Sequence, residues 1–231
     1  MTTKLHDATS PTPAIDCARL VFWPGVVTLG VTAIRLAGEL MGGPRALFNP
    51  SAGGGFALVG IAWLAPVFGI YFAFKLAAQG YKPKSATLAV QSAILGIIFV
   101  VVVALGSARI PISNPYLKAA LLLWVPVAAG AALQLFAWPA LTKTLFAYAF
   151  AARVPVAIRM VFAMLGNWGT HYDAVPEGFP ESGFVFKYLW LGLLPQLVFW
   201  VGFTVLVGAL FGSTAFALRN KVQPPPPESV I

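Results

Sequence analysis

The chain divides into long apolar blocks separated by short polar stretches, without the regular alternation that marks half-buried helices or strands. Four blocks, residues 56–78, 86–106, 117–137 and 188–211, come close to the ~20 residues that carry a helix across a bilayer core. Two further segments are less clean. Residues 20–34 supply fifteen uncharged positions with Pro24 and Gly25 near the start, and residues 145–165 are long enough but contain Arg153 and Arg159. Residues 97–103 are rich in β-branched side chains. A membrane sheet, however, must close into a barrel whose strands alternate apolar and polar over about ten residues. The blocks here are uniformly apolar at about twice that length, so they predict helices.

The expected fold is all-α, a polytopic membrane bundle of about six transmembrane helices, or five if residues 20–34 lie at the interface. Residues 1–18 read as a polar cytoplasmic tail, 19–218 as a single transmembrane domain and 219–231 as a disordered proline-rich tail. Residues 224–227 are all proline and favour a solvated polyproline conformation. Pro66, Pro126, Pro155 and Pro195 fall inside predicted spans, where each removes a backbone hydrogen bond that neighbours must replace. Two small-residue runs, Gly208 to Gly212 (a GxxxG) and residues 128–132, suit close helix contact with a partner that the sequence does not specify.

Composition closes off the soluble alternatives. The chain is 59% hydrophobic and 10% charged, with a mean hydropathy of +0.83. Soluble domains average about 45–50% apolar and about 25% charged, so too few polar side chains remain to coat a soluble surface. Fifteen Lys and Arg against seven Asp and Glu give a net charge of +8. These cations flank the apolar blocks, where they orient a membrane protein and meet anionic headgroups, so nucleic acid is not an expected partner. With six spans, Lys4, Arg19, Lys75, Lys82, Lys84, Lys143, Arg219 and Lys221 gather on one side and Arg45, Arg109, Lys118 and Lys187 on the other. That imbalance predicts cytoplasmic termini and an outer loop carrying Asp173, Glu177 and Glu181. The first sixteen residues lack the basic and apolar regions of a removable signal peptide.

Few residues carry chemistry. Arg153 lies ten residues past Lys143, about 15 Å at 1.5 Å per residue, which is the middle of a core about 30 Å thick. No carboxylate sits at that depth; Tyr148, Gln91, Gln134 and Gln196 are the polar groups near it. Arg153, with Arg159, is therefore the candidate for binding an anion. The alternative is that residues 143–153 lie flat on the cytoplasmic face and Arg153 snorkels. Arg159 has Glu39 or Asp173 as expected partners. Thr28, Thr32, Arg35 and Glu39 form a polar stripe at helical spacing that either lines the bundle or lies at the interface, with Arg35 and Glu39 expected as a structural ion pair. The loop holding Asn167, Trp168, His171, Tyr172, Asp173 and Glu177 is a candidate surface for a partner or ligand, and its Trp and Tyr also suit an interfacial anchor. His171 oriented by Asp173 would serve as a base, but no nucleophile lies near it in sequence. The run 53–55 lacks the lysine of a phosphate-binding loop and reads as a flexible connector. Cys17 is the single cysteine, and no metal site or cofactor is expected.

The favoured expectation is a non-enzymatic integral membrane subunit or scaffold that packs with a second copy or another membrane protein. The alternative is a transporter or channel for a small anionic solute or lipid using Arg153 and Arg159, and a third is a membrane enzyme using His171 and Asp173. The bilayer itself, anionic lipid included, is the expected environment and partner.

Overall fold

The computed structural model describes residues 15–222. Six helical rods follow one another: α1 (Cys17–Leu40), α2 (Leu64–Ala78), α3 (Ala86–Gly106), α4 (Pro115–Ala137), α5 (Pro139–Gly166) and α6 (Phe184–Val222). Five are long and apolar enough to cross a membrane, so the protein is an all-α, multi-pass helical bundle. α1 opens at Cys17 and α6 runs to Val222. The remainder of both tails lies outside the described residues.

The helices start where local chemistry provides a cap. Asp16, Ser85 and Asn114 accept backbone N–H groups of the first turns of α1, α3 and α4, and Pro115 and Pro139 occupy the first helical position, where no N–H is needed. α1 is a 24-residue helix, so residues 20–34 belong to a rod long enough to span. The exception is α2. The apolar block 56–78 becomes a helix only at Leu64, because Gly53, Gly54, Gly55 and Phe56 all hold positive φ and turn the chain. Its fifteen residues cover about 22 Å at 1.5 Å per residue, short of the ~30 Å core. Pro66 thus falls in the first turn of α2 and breaks nothing.

Two other prolines are met by widening the helix. Residues Ala120–Trp124 precede Pro126, and Tyr188–Leu193 and Pro195–Trp200 flank and contain Pro195, all as π turns. There Val125 donates to the carbonyl of Ala120 and Leu194 to that of Leu189, five residues back, so the chain passes a residue that cannot donate. Pro24 and Pro155 sit within α1 and α5, which continue as α-helices through them.

Contacts at the helix ends fix an up-and-down course. Cys17 Sγ lies 3.7 Å from Thr144 Oγ1, Trp138 Nε1 donates to the Tyr81 carbonyl at 2.8 Å, and the Trp138 ring meets Phe216 at 5.0 Å. The start of α1, the α2–α3 and α4–α5 turns and the end of α6 therefore share one face of the bundle, called here the basic end. The end of α1 and the 166–183 loop share the opposite face.

The core is built on close backbone approach. A Cβ on Gly69 would lie 2.3 Å from the Gly208 carbonyl oxygen, and one on Gly212 would lie 2.5 Å from that of Gly69. The GxxxG of α6 is therefore spent on α2 within the same chain. Gly130 of α4 is likewise seated against Gly96 of α3 and Leu206 of α6. Around these contacts Phe72, Leu76, Leu141, Leu145, Tyr148 and Val205 are fully buried.

A side chain at position 69 meets backbone, which cannot move aside. Gly69→Val is expected to destabilise the bundle by ~3 kcal/mol, the upper part of the overpacking range. Gly30→Ala, where nothing lies within 4 Å, should leave stability unchanged. Thermal unfolding of both variants in mild detergent checks this, and equal melting temperatures would refute the α2–α6 contact.

Candidate functional site

The polar stripe of α1 faces the bundle interior. Thr28, Thr32, Arg35 and Glu39 are all buried, and α1 packs mainly on α5. Thr28 Oγ1 donates to the Pro24 carbonyl at 2.8 Å, which uses its one proton, so Tyr148 of α5 must donate to Thr28 Oγ1, also at 2.8 Å. One turn on, Thr32 donates to the Thr28 carbonyl at 2.7 Å, and the Tyr172 hydroxyl donates to the Thr32 carbonyl at 3.4 Å.

Arg35 ends the stripe with a different task. Its Nε donates to Glu39 Oε1 at 2.8 Å, and its two terminal nitrogens donate to the carbonyls of Val59, Asn49 and Gly54 at 2.9–3.1 Å. The irregular segment before α2 has no helical ladder to satisfy these carbonyls, and a guanidinium has enough donors to do so. Glycine is required where the chain closes on it: a Cβ on Gly54, at φ +80°, would lie 2.7 Å from Arg35 Nη2. Within the 53–55 run, expected as a flexible connector, Gly54 is thus fixed against Arg35.

Glu39 then reaches across to the loop after α5. Its Oε2 accepts the His171 backbone N–H at 2.9 Å, and His171 Nδ1 lies 2.6 and 2.8 Å from the two oxygens. A carboxylate only accepts, so Nδ1 carries the proton and Nε2 keeps the lone pair. Burial pushes the His171 pKa below its ordinary 6.5. The Glu39 hydrogen bond opposes that shift, while the charges of Arg35 and Arg159 add to it. The imidazole is therefore neutral at pH 7, its ring 3.9 Å from that of Tyr172.

Asp173 takes no part in this pair. Its carboxylate accepts the N–H groups of Gly169 and Thr170 at 2.8 Å and the Thr170 hydroxyl at 2.7 Å. The expected His171–Asp173 base pair is thus replaced by Glu39–His171, because the turn at Gly169 (φ +69°) folds its own donors over Asp173. Asn167, at φ 48°, stops α5 in the left-handed conformation that asparagine tolerates. Trp168 folds back over Gly166, and Glu177 is exposed farther along the loop. Among the described residues no three His, Cys, Asp or Glu side chains are grouped to hold a metal.

A second cluster lies between α5 and α6. Arg153, near the middle of α5, is 5% exposed, so its side chain packs inside the bundle. Its guanidinium carbon stands 4.6 Å from the Trp200 ring centroid. Among the described residues it has no carboxylate partner, and its buried Nε has no hydrogen-bond acceptor. Gln196, four residues before Trp200, donates weakly to Met160 Sδ at 3.8 Å and leaves Oε1 buried and unpaired. The other polar groups expected near Arg153 are engaged or distant: Tyr148 bonds Thr28, Gln134 ties α4 to the Ser92 carbonyl of α3, and Gln91 is exposed. Arg159 pairs with neither Glu39 nor Asp173. It lies 5.5 Å from the Tyr172 ring centroid with one buried nitrogen unpaired.

The Glu39–His171 pair, 132 residues apart, had no signal in the sequence beyond the i, i+4 spacing of Arg35 and Glu39. Comparison of the chain with protein-family models, with curated proteins and with solved structures finds no match in any of the three.

Because the folded protein holds His171 below its ordinary pKa of 6.5, the unfolded chain binds more protons just below that pH. Stability is then complete above about pH 6.5 and falls as the pH drops toward the folded value. The melting temperature in detergent should be flat from about pH 7 to 8 and decline below about 6.5, and His171→Gln should flatten that decline. An unchanged slope in the variant would assign the acid sensitivity to other groups.

Proposed function

We propose that this protein is a non-enzymatic multi-pass membrane protein that binds a small anion against Arg153, as a transporter or channel does. The observation that carries this reading is a guanidinium at mid-helix, 5% exposed, with no counter-charge among the described residues and an unpaired Nε. Arginine at the bilayer centre costs roughly 2.5–3.5 kcal/mol even on insertion scales. A cation–π contact with Trp200 offsets about 2 kcal/mol when desolvated. A bound anion supplies what the chain leaves out: a counter-charge for Arg153 and an acceptor for Nε.

The surroundings support such a site. Gln196 and Trp200 come from the π-turn stretch Pro195–Trp200, and Pro155 interrupts the ladder of the facing helix. Widened or proline-broken helices near the midplane are where membrane transporters place ligands. Arg153 is closed off in this conformation, so entry requires α5 and α6 to part locally. The packing-subunit expectation loses part of its small-residue support, since the Gly208, Gly212 and Gly130 contacts are filled within the chain while Ala129 and Ala132 remain exposed.

The described ends of α1 and α6 share the basic end, with Arg19, Lys75, Lys82, Lys84, Lys143, Arg219 and Lys221. The charge rule makes that end cytoplasmic. Single cysteines at positions 84 and 175 in a Cys17→Ser background should then be labelled by an impermeant maleimide from the cytoplasmic and external sides respectively. Labelling of position 84 from outside would invert the topology.

In proteoliposomes, wild-type protein should release at least one of chloride, phosphate or acetate faster than empty vesicles do. Arg153→Gln should lower that rate at least tenfold and Arg153→Lys should retain part of it. Equal rates for wild type and Arg153→Gln, or no release above empty vesicles for any of the three anions, would overturn the reading.

A further inference from the structure

At the basic end, far from Arg153, the last turn of α2 and the last turns of α6 leave a recess of about 350 Å³. Its apolar wall is Phe74, Ala77 and Phe216, and its rim is Lys82, Arg219 and Asn220. Phe216 is 4% exposed and locked against Trp138, so this wall is part of the packed bundle. The rim is open. Lys82, Arg219 and Asn220 are exposed, and the Arg219 guanidinium is held 5.3 Å from the Phe74 ring centroid.

Two features make the rim a receptor for negative charge. Among the described residues no carboxylate lines the recess, and neither Lys82 nor Arg219 forms a salt bridge. At the end of α2 the carbonyls that would attract a cation are already taken. Gln79, Gly80 and Tyr81 donate their N–H groups to Lys75, Ala77 and Leu76, with Gly80 at φ +89° closing the turn. Among the described residues nothing neutralises these two cations. They stand beside an apolar wall at the end of a membrane helix bundle, where basic side chains meet the headgroup region.

We infer that this recess binds the phosphate of an anionic phospholipid headgroup between Lys82 and Arg219, with Asn220 donating from its amide and the lipid's upper acyl carbons lying on the partly exposed Phe74 and Ala77. Charge complementarity selects an anionic over a zwitterionic headgroup, whose own ammonium would compete with the two side chains. The apolar wall selects a lipid over free phosphate, since inorganic phosphate leaves that surface uncovered. This site is separate from Arg153, and it stands or falls without the anion-binding reading.

The test is native mass spectrometry of the full chain in neutral detergent, titrated with dioctanoyl phosphatidic acid, dioctanoyl phosphatidylcholine or inorganic phosphate. Phosphatidic acid should bind saturably with one tight site. Phosphatidylcholine and inorganic phosphate should bind at least tenfold more weakly. Lys82→Gln with Arg219→Gln should weaken phosphatidic acid binding at least tenfold, while Lys118→Gln with Lys187→Gln, which removes the same charge at the opposite end, should change it less than twofold. All four positions lie at helix ends or in the turn after α2, away from the packed core, so the variants are expected to fold. Three results would overturn the proposal: unchanged binding in the Lys82/Arg219 variant, equal loss in the Lys118/Lys187 variant, or inorganic phosphate binding as tightly as the lipid.

Discussion

Arg35 sits where α1 ends, and its guanidinium satisfies three carbonyls of a largely irregular segment whose one regular element is a three-residue 3-10 turn. Backbone that leaves the helical ladder near a bilayer must find donors within the protein. Arg35 gives one terminal nitrogen to Val59 and the other to Asn49 and Gly54, while Nε holds Glu39. Glu39 is then aimed at His171, so one buried chain of hydrogen bonds ties α1, the segment before α2 and the loop after α5 together. The shortness of α2 follows. The chain spends residues up to Trp63 wrapping the guanidinium, and fifteen remain for the helix.

The short helix is accommodated by tight packing. Gly69 against Gly208 and Gly212 lets α2 lie on the second half of α6 at backbone contact, so a helix with few side chains still buries a continuous face. This use of the GxxxG inside the chain removes it as an oligomerisation surface. It also sets the end of α2 beside the end of α6, which is what creates the basic recess holding Lys82 and Arg219.

Two buried arginines show how much depends on partners. Arg35 has a carboxylate four residues away on its own helix and carbonyls within reach, and it works as a structural clasp. Arg153 has an aromatic face and an unpaired nitrogen. Removing an uncompensated charge from water is unfavourable unless something outside the chain completes the pairing. The same residue type at a similar burial is thus fully paired in one place and left with an unpaired nitrogen in the other.

The apolar blocks alone determined that this is a helical multi-pass membrane protein, because crossing a bilayer dictates both block length and helical backbone. Local rules also made the polar stripe of α1 legible, since residues four apart share a helix face. The sequence did not reveal that α2 begins only at Leu64, because hydropathy records apolar character and says nothing of the positive φ run that turns the chain at 53–56. Nor did it reveal that Glu39 takes His171 while Asp173 turns back on its own loop. Those pairings depend on how helices far apart in sequence are rotated and crossed. That geometry is set by glycine contacts and side-chain packing between elements, and so only the tertiary structure decided which polar groups are satisfied and which, like Arg153, are left open.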